Sequence, residues 1–182
     1  MPISKYSSGK KKFTRKTRLI FTEGLHEEMF LKLLQFHYGH KKVSIKIKKG
    51  RGGSPEQLVI ESSRLFGEFN ERVVVFDIDK TKTEIDAATK KAKELSIVLV
   101  KNFPCLDSVL LAILDSARDY SNKKSEWCKK EFQDKYIPKG DRDDLRKYKK
   151  VFPINLLDKR RKNYAPLDIM INLIESKKIK YK

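Results

Sequence analysis

The 182-residue chain is long enough for one core with a small appendage, and its 39% apolar content is adequate for it. Its 42 Lys and Arg against 24 Asp and Glu leave a net charge of +18. Self-repulsion of that size asks for a polyanionic partner, nucleic acid ahead of an anionic membrane surface. No stretch approaches the roughly 18 apolar residues of a membrane span, no signal-peptide core follows the basic N-terminus, and two cysteines make no disulfide framework. The expectation is a reduced, cytoplasmic protein without membrane association.

Residues 1–16 carry six cations, no acid and no periodicity, so they read as a flexible basic arm. Residues 18–22 read as a short buried strand that Glu23-Gly24 breaks. Residues 26–38 place Met29, Phe30, Leu33 and Leu34 at helical spacing, with Gly39 as a stop. Residues 42–48 alternate, Val43, Ile45 and Ile47 on one face and lysines including Lys46 and Lys48 on the other, which is a half-buried strand. A glycine-rich turn follows, and Ser54 and Pro55 suit the N-cap and first position of a helix running to about residue 66. Residues 72–76 form an apolar, β-branched run expected to be a central strand, 83–95 a helix, and 96–100 another buried strand. The order βαβαβαβ argues for an α/β fold, a mostly parallel sheet flanked by helices.

Beyond Pro104 the pattern turns helical, over residues 107–120, 125–136, 141–150 and 166–175. Residues 122–182 read as a small basic C-terminal helical extension, beside an α/β domain at 17–121. Segments 1–16, 41–51 and 146–182 together carry +21, leaving −3 for the rest. Cations suited to phosphates, Arg160 and Arg161 among them, therefore surround a near-neutral body that holds the acidic motifs. Trp127 and Tyr136 are expected to pack the extension, while Tyr148 and Tyr164, set among Lys and Arg, are candidates for base stacking.

In parallel sheets the functional groups gather beyond the carboxyl ends of the strands. Glu23 follows the first strand, and Asp77 and Asp79 follow the third at a spacing that can put both on one face. Two carboxylates that close repel unless a cation lies between them, and Mg²⁺ or Mn²⁺ favours such oxygen ligands. Glu28, in the first turn of the next helix, can reach the same crevice. Either motif alone is ordinary turn chemistry; the two together in a strongly basic chain point to a metal site for phosphodiester chemistry. Lys101, after the fourth strand, is a candidate for a phosphate or transition-state contact. Lys46, Lys48 and Arg51 are candidates for phosphates, Arg51 beside glycines that resemble an anion nest. His26, His37 and His40 form no zinc pattern with either cysteine, and Cys105 reads as a small buried residue.

Thr22-Glu23-Gly24 with Glu28, Phe30 and Leu31, then Gly52-Gly53-Ser54-Pro55, then Val75-Phe76-Asp77-Ile78-Asp79, then Pro104-Cys105-Leu106-Asp107 occur in that order. Over roughly residues 17–115 this set resembles the RloB-like family, a branch of the Toprim fold related to the OLD nucleases. The resemblance implies a metal-dependent nuclease of prokaryotic antiphage defence, with RNA, particularly tRNA, ahead of DNA as substrate. It implies Glu23 as general acid/base and ligand, Asp77 and Asp79 as Mg²⁺ ligands, and Glu28 as a further acid. Asp107 stands where the family pattern has Glu, and Lys80 follows Asp79 where an acid is common. A homodimer or a defence-system partner protein is compatible with this reading. The alternatives are a non-catalytic nucleic-acid-binding module that keeps the fold, and a strand-transfer or primase-type Toprim domain.

Overall fold

The computed structural model of the chain describes residues 15–40 and 43–175. Strand β1 (Lys16–Thr22) leads to α1 (Leu25–Tyr38), β2 (Val43–Lys49), α2 (Pro55–Arg64), β3 (Glu71–Asp77), α3 (Lys82–Glu94) and β4 (Val98–Asn102). The four strands form one sheet in the order β2-β1-β3-β4, every pair parallel. Capping boxes begin two of the helices. Ser54 and Gln57 exchange side-chain and backbone hydrogen bonds at α2, and Thr81 and Glu84 do the same at α3. Gly52 and Gly53, with φ of 88° and 110°, occupy the left-handed region that lets the chain turn between β2 and α2.

Strand alternation assigns the two faces. Leu19, Phe21, Val74 and Phe76 pack against Leu58 and Val59 of α2 and Ala88 and Ala92 of α3. Ile20, Ile47, Val73, Val75 and Val100 face α1 and α4 (Leu106–Leu114). On β2 the expected apolar face holds: Ile47 is buried and Val43 and Ile45 are half-buried, while Lys46 and Lys48 are exposed. Helices α1 and α3 lie on opposite faces, so the chain leaves β1 and β3 in opposite directions and a crevice opens beyond their carboxyl ends.

The C-terminal part continues the α1 layer. It comprises α5 (Ser125–Lys135), a 3₁₀ turn, α6 (Leu145–Val151), α7 (Ile154–Arg161) and α8 (Ala165–Ile174). Phe132, Tyr148, Phe152, Leu157 and the buried face of α8 share one apolar cluster with α1 and α4. Phe30 meets the Phe152 ring edge-on at 5.4 Å.

Several boundaries differ from the sequence reading. β4 begins at Val98, because Ser96 turns through φ 54° before the strand starts. α4 stops at Leu114, where the Asp115 carboxylate accepts from the Ala117 N–H at 3.1 Å and the Tyr120 hydroxyl at 3.2 Å, closing a turn. Helix α6 starts at Leu145 with Asp144 as its N-cap. Helix α7 was not anticipated, since it buries only Leu157 and shows no apolar stripe. Tyr136 packs on Phe132, but Trp127 is 41% exposed, and Tyr148, a candidate for base stacking, is fully buried. Apart from Arg15 and Lys16, the last opening β1, the expected arm lies outside the described residues, as does the lysine-rich end from residue 176. No helix among the described residues is long and apolar enough to cross a membrane.

Candidate active site at the carboxyl end of the sheet

Thr22 stands opposite Val75, so β1 and β3 end side by side. The Thr22 hydroxyl donates to the Gly24 carbonyl at 3.0 Å, and Gly24 caps α1 in an extended conformation. That turn leaves Glu23 at the crevice and buries His26 and Glu27 in the first helical turn behind it.

Asp77 is 4% exposed. Its Oδ1 accepts from the Asn102 amide at 3.1 Å and from the Leu106 N–H, at the start of α4, at 2.9 Å. Burial, and then the charge of Glu27, still push its pKa well above the carboxylate range. Burial raises Glu27 too. Asp79 differs, although burial alone would raise it as well. The Lys129 ammonium on Asp79 Oδ2 at 2.8 Å, with Lys80 at 3.6 Å, more than offsets that and holds it below its usual value.

These ammonium groups bridge. Lys80 Nζ lies 3.2 Å from Glu23 Oε1, and Lys129 Nζ lies 4.0 Å from Asp77 Oδ2. The other oxygen of Glu23, Oε2, is buried and has no hydrogen-bond partner. Asp107, in the first turn of α4 and 3% exposed, faces His26 Nδ1 at 3.5 Å and Arg142 Nη2 at 3.2 Å. Burial raises its pKa, but the hydrogen bond and charge of His26 and the charge of Arg142 win, so it stays ionised below the usual range. The His26 ring is held between Phe132 and Tyr148, at centroid distances of 5.2 and 5.7 Å.

Glu23, Asp77, Asp79 and Asp107 are thus placed around one crevice. Glu28 instead pairs with Lys32 at 3.0 Å, and Glu27 is the α1 carboxylate that acts on Asp77. Lys101 stands opposite Phe76, on the sheet face away from Asp77, and its ammonium lies 3.5 Å from the Thr89 hydroxyl on α3. Its neighbour Asn102 is the β4 side chain that touches Asp77. Lys46 and Lys48 are exposed along β2, Lys46 lying 5.9 Å from the centre of the Phe69 ring, and Arg51 is exposed in the following turn at the crevice end of the sheet. Arg160 is tied to the Ile113 carbonyl at 2.8 Å and the Ser116 hydroxyl at 2.5 Å. Arg161 commits its guanidinium to Asp168, Asn172 and Glu175 of the α8 region.

Four residues of the site went unread. Glu27 carries a visible signal, since it shares a helical stripe with Phe30, Leu31 and Leu34, all buried. Asn102 is marked by its register with Asp77. Lys129 and Arg142 carry none, being 50 and 35 residues from the acids they meet.

Among the described residues no three His, Cys, Asp or Glu side chains are gathered at metal-ligand spacing. The Lys80 and Lys129 ammonium groups lie in the intervals between Glu23, Asp79 and Asp77. The donor chemistry does fit a hard divalent cation. All the donors are carboxylate oxygens, Glu23 Oε2 lacks a partner, and Asp77 and Glu27 are raised by burial and like charge that a cation relieves. Comparisons with protein-family models, with curated proteins and with solved structures find no match.

Proposed function

We propose that the protein is a Mg²⁺- or Mn²⁺-dependent nuclease of the RloB-like Toprim type, acting on RNA, especially tRNA, ahead of DNA, in prokaryotic antiphage defence. The observation that carries this reading is a set of buried and half-buried carboxylates at the carboxyl end of a parallel sheet, one with an unpartnered oxygen, inside a chain of net charge +18. Glu23, Asp77 and Asp79 would hold the cation. When bound, such a cation activates water and stabilises the leaving oxygen of a phosphodiester. Glu23, with one oxygen unpartnered, is the group of this chain suited to take or return a proton. Asn102 and the α4 N-terminus orient Asp77, while Arg142 and His26 keep Asp107 charged beside it. Lys80, paired with Glu23 and Asp79, would be free to meet a phosphate oxygen if those carboxylates held a cation. Lys46, Lys48 and Arg51 hold the flanking backbone.

One observation favours a second reading, a non-catalytic nucleic-acid-binding module. The cluster already contains its own cations, Lys129 and Lys80, each within 4.0 Å of two carboxylates. Cleavage of tRNA, single-stranded RNA and DNA with Mg²⁺, Mn²⁺ or chelator separates the two. The nuclease cuts at least one substrate only with metal, and Asp77→Asn abolishes the cut. If wild type and Asp77→Asn behave alike on every substrate, the nuclease reading fails. Tight binding without cleavage by wild type supports the module.

A further inference from the structure

Two cavities of about 460 and 300 Å³ adjoin on the surface beside α4, sharing Arg118, Asp119 and Tyr120 of the loop that follows it. Their walls combine aromatic rings with cations. The larger is bounded by Phe103, Tyr164, Lys159 and Arg160, the smaller by Lys123 and Trp127. Trp127 stacks on Tyr120 with centroids 6.3 Å apart and planes 25° apart, and the Lys123 ammonium lies 5.5 Å from the indole centre. Both Trp127, at 41%, and Phe103, at 57%, remain exposed, although water disfavours large apolar rings.

Two charged groups of the groove are already held by hydrogen bonds. Arg160 is pinned to the end of α4 by Ile113 and Ser116. The Asp119 carboxylate is occupied within its loop by the Ser121 N–H and the Asn122 amide, at 2.8 and 3.2 Å. Arg118 (paired loosely with Asp115 at 3.6 Å), Lys123 and Lys159 present their charges at the surface. Two of its rings sit close in sequence to residues that hold the carboxylates. Phe103 follows Asn102, which holds Asp77, and Trp127 lies two residues before Lys129, which holds Asp79.

We propose that this groove binds a single-stranded segment of nucleic acid, stacking an unpaired base on Trp127 while Arg118, Lys123 and Lys159 hold the phosphates. Exposed aromatic rings interleaved with cations match the alternation of base and phosphate along a strand. A duplex is a poor occupant, because its base faces are covered by neighbouring pairs. The inference rests on the nucleic-acid reading above and deepens it, since it names the form of nucleic acid that the chain holds.

Trp127 is the only tryptophan of the chain, so its emission reports on the groove alone. The probes are a labelled eight-nucleotide oligouridylate and a labelled 16-base-pair duplex, in chelator so that neither is cut. Oligouridylate is expected to quench the indole with the same midpoint as its anisotropy. Trp127→Leu is expected to weaken oligouridylate by roughly tenfold, the low-to-middle range for losing one stacked base, and duplex by less than twofold. Lys159→Glu, which leaves the ring in place, is expected to weaken oligouridylate as well. If anisotropy shows binding but emission does not change and both variants bind like wild type, the groove inference is overturned while the nucleic-acid reading stands. If neither probe binds by anisotropy, that reading falls and the groove with it.

Discussion

Replacing Lys129 by Met removes an ammonium from between Asp79 and Asp77 and keeps most of the side-chain length. In the wild type Nζ lies 2.8 Å from Asp79 and 4.0 Å from Asp77. A unit-charge pair at 4 Å in an effective dielectric of 20 is worth about 4 kcal/mol. The Lys129 side chain is 43% exposed, so water and salt screen most of that, leaving about 1 kcal/mol. That amount should appear twice with opposite signs. Without metal, Lys129→Met should be less stable by about 1 kcal/mol, a fall in Tm of roughly 2–4 °C. With metal, the cation no longer has to displace an ammonium, so Mn²⁺ should bind roughly fivefold tighter. Electron paramagnetic resonance of free Mn²⁺ measures the second effect and a thermal melt in chelator the first. A variant that melts lower yet binds Mn²⁺ no better than wild type would refute the argument, because Lys129 would then stabilise the fold without standing where the cation binds.

Asp77→Asn should stabilise the chelated protein by about 1–2 kcal/mol at pH 7, since it removes a charge that burial and Glu27 oppose. Asp77 has a raised pKa in the folded state, so its charging costs stability as pH rises through that value. The advantage of the variant should therefore shrink toward pH 4, as urea titrations at several pH values would reveal. Arg142→Ala leaves buried Asp107 with only His26 and should cost about 3 kcal/mol at pH 7. The Asp107 pKa is depressed, so its contribution exists above the unfolded carboxyl value and vanishes as pH falls through the folded one; a deficit as large at pH 3 as at pH 7 would contradict this. Lys46→Ala with Lys48→Ala should lower the slope of log affinity against log salt by about 1–2 without changing which nucleic acid is preferred, measured by anisotropy across salt concentrations.

The α/β architecture was legible because its signals are local. Val43, Ile45 and Ile47 alternate with lysines and do bury one face of β2, and the βαβ order did produce an all-parallel sheet. At two positions the residue whose charge or hydrogen bond reaches Asp77 is the immediate neighbour of one the sequence points to, Glu27 beside Glu28 and Asn102 after Lys101. In a strand a one-residue step reverses the face, and in a helix it rotates the side chain by about 100°. Apolar neighbours one helical turn on from Glu27, and the register of β4 against β3, are what separate the residue that reaches Asp77 from the adjacent one.

The sequence by itself determined which acids stand at strand ends, which faces of the strands are apolar, and that the charge is concentrated in three segments of the chain, because each is a property of neighbouring residues. Only the tertiary structure decided what those acids face. Lys129 arrives on α5 from 50 residues away and Arg142 from the loop before α6, 35 residues beyond Asp107. The packing of α5 and α6 against the α1 and α4 layer sets those approaches. Long-range electrostatic partners leave no trace in local periodicity. The fold therefore decided whether the carboxylates stand bare or already neutralised.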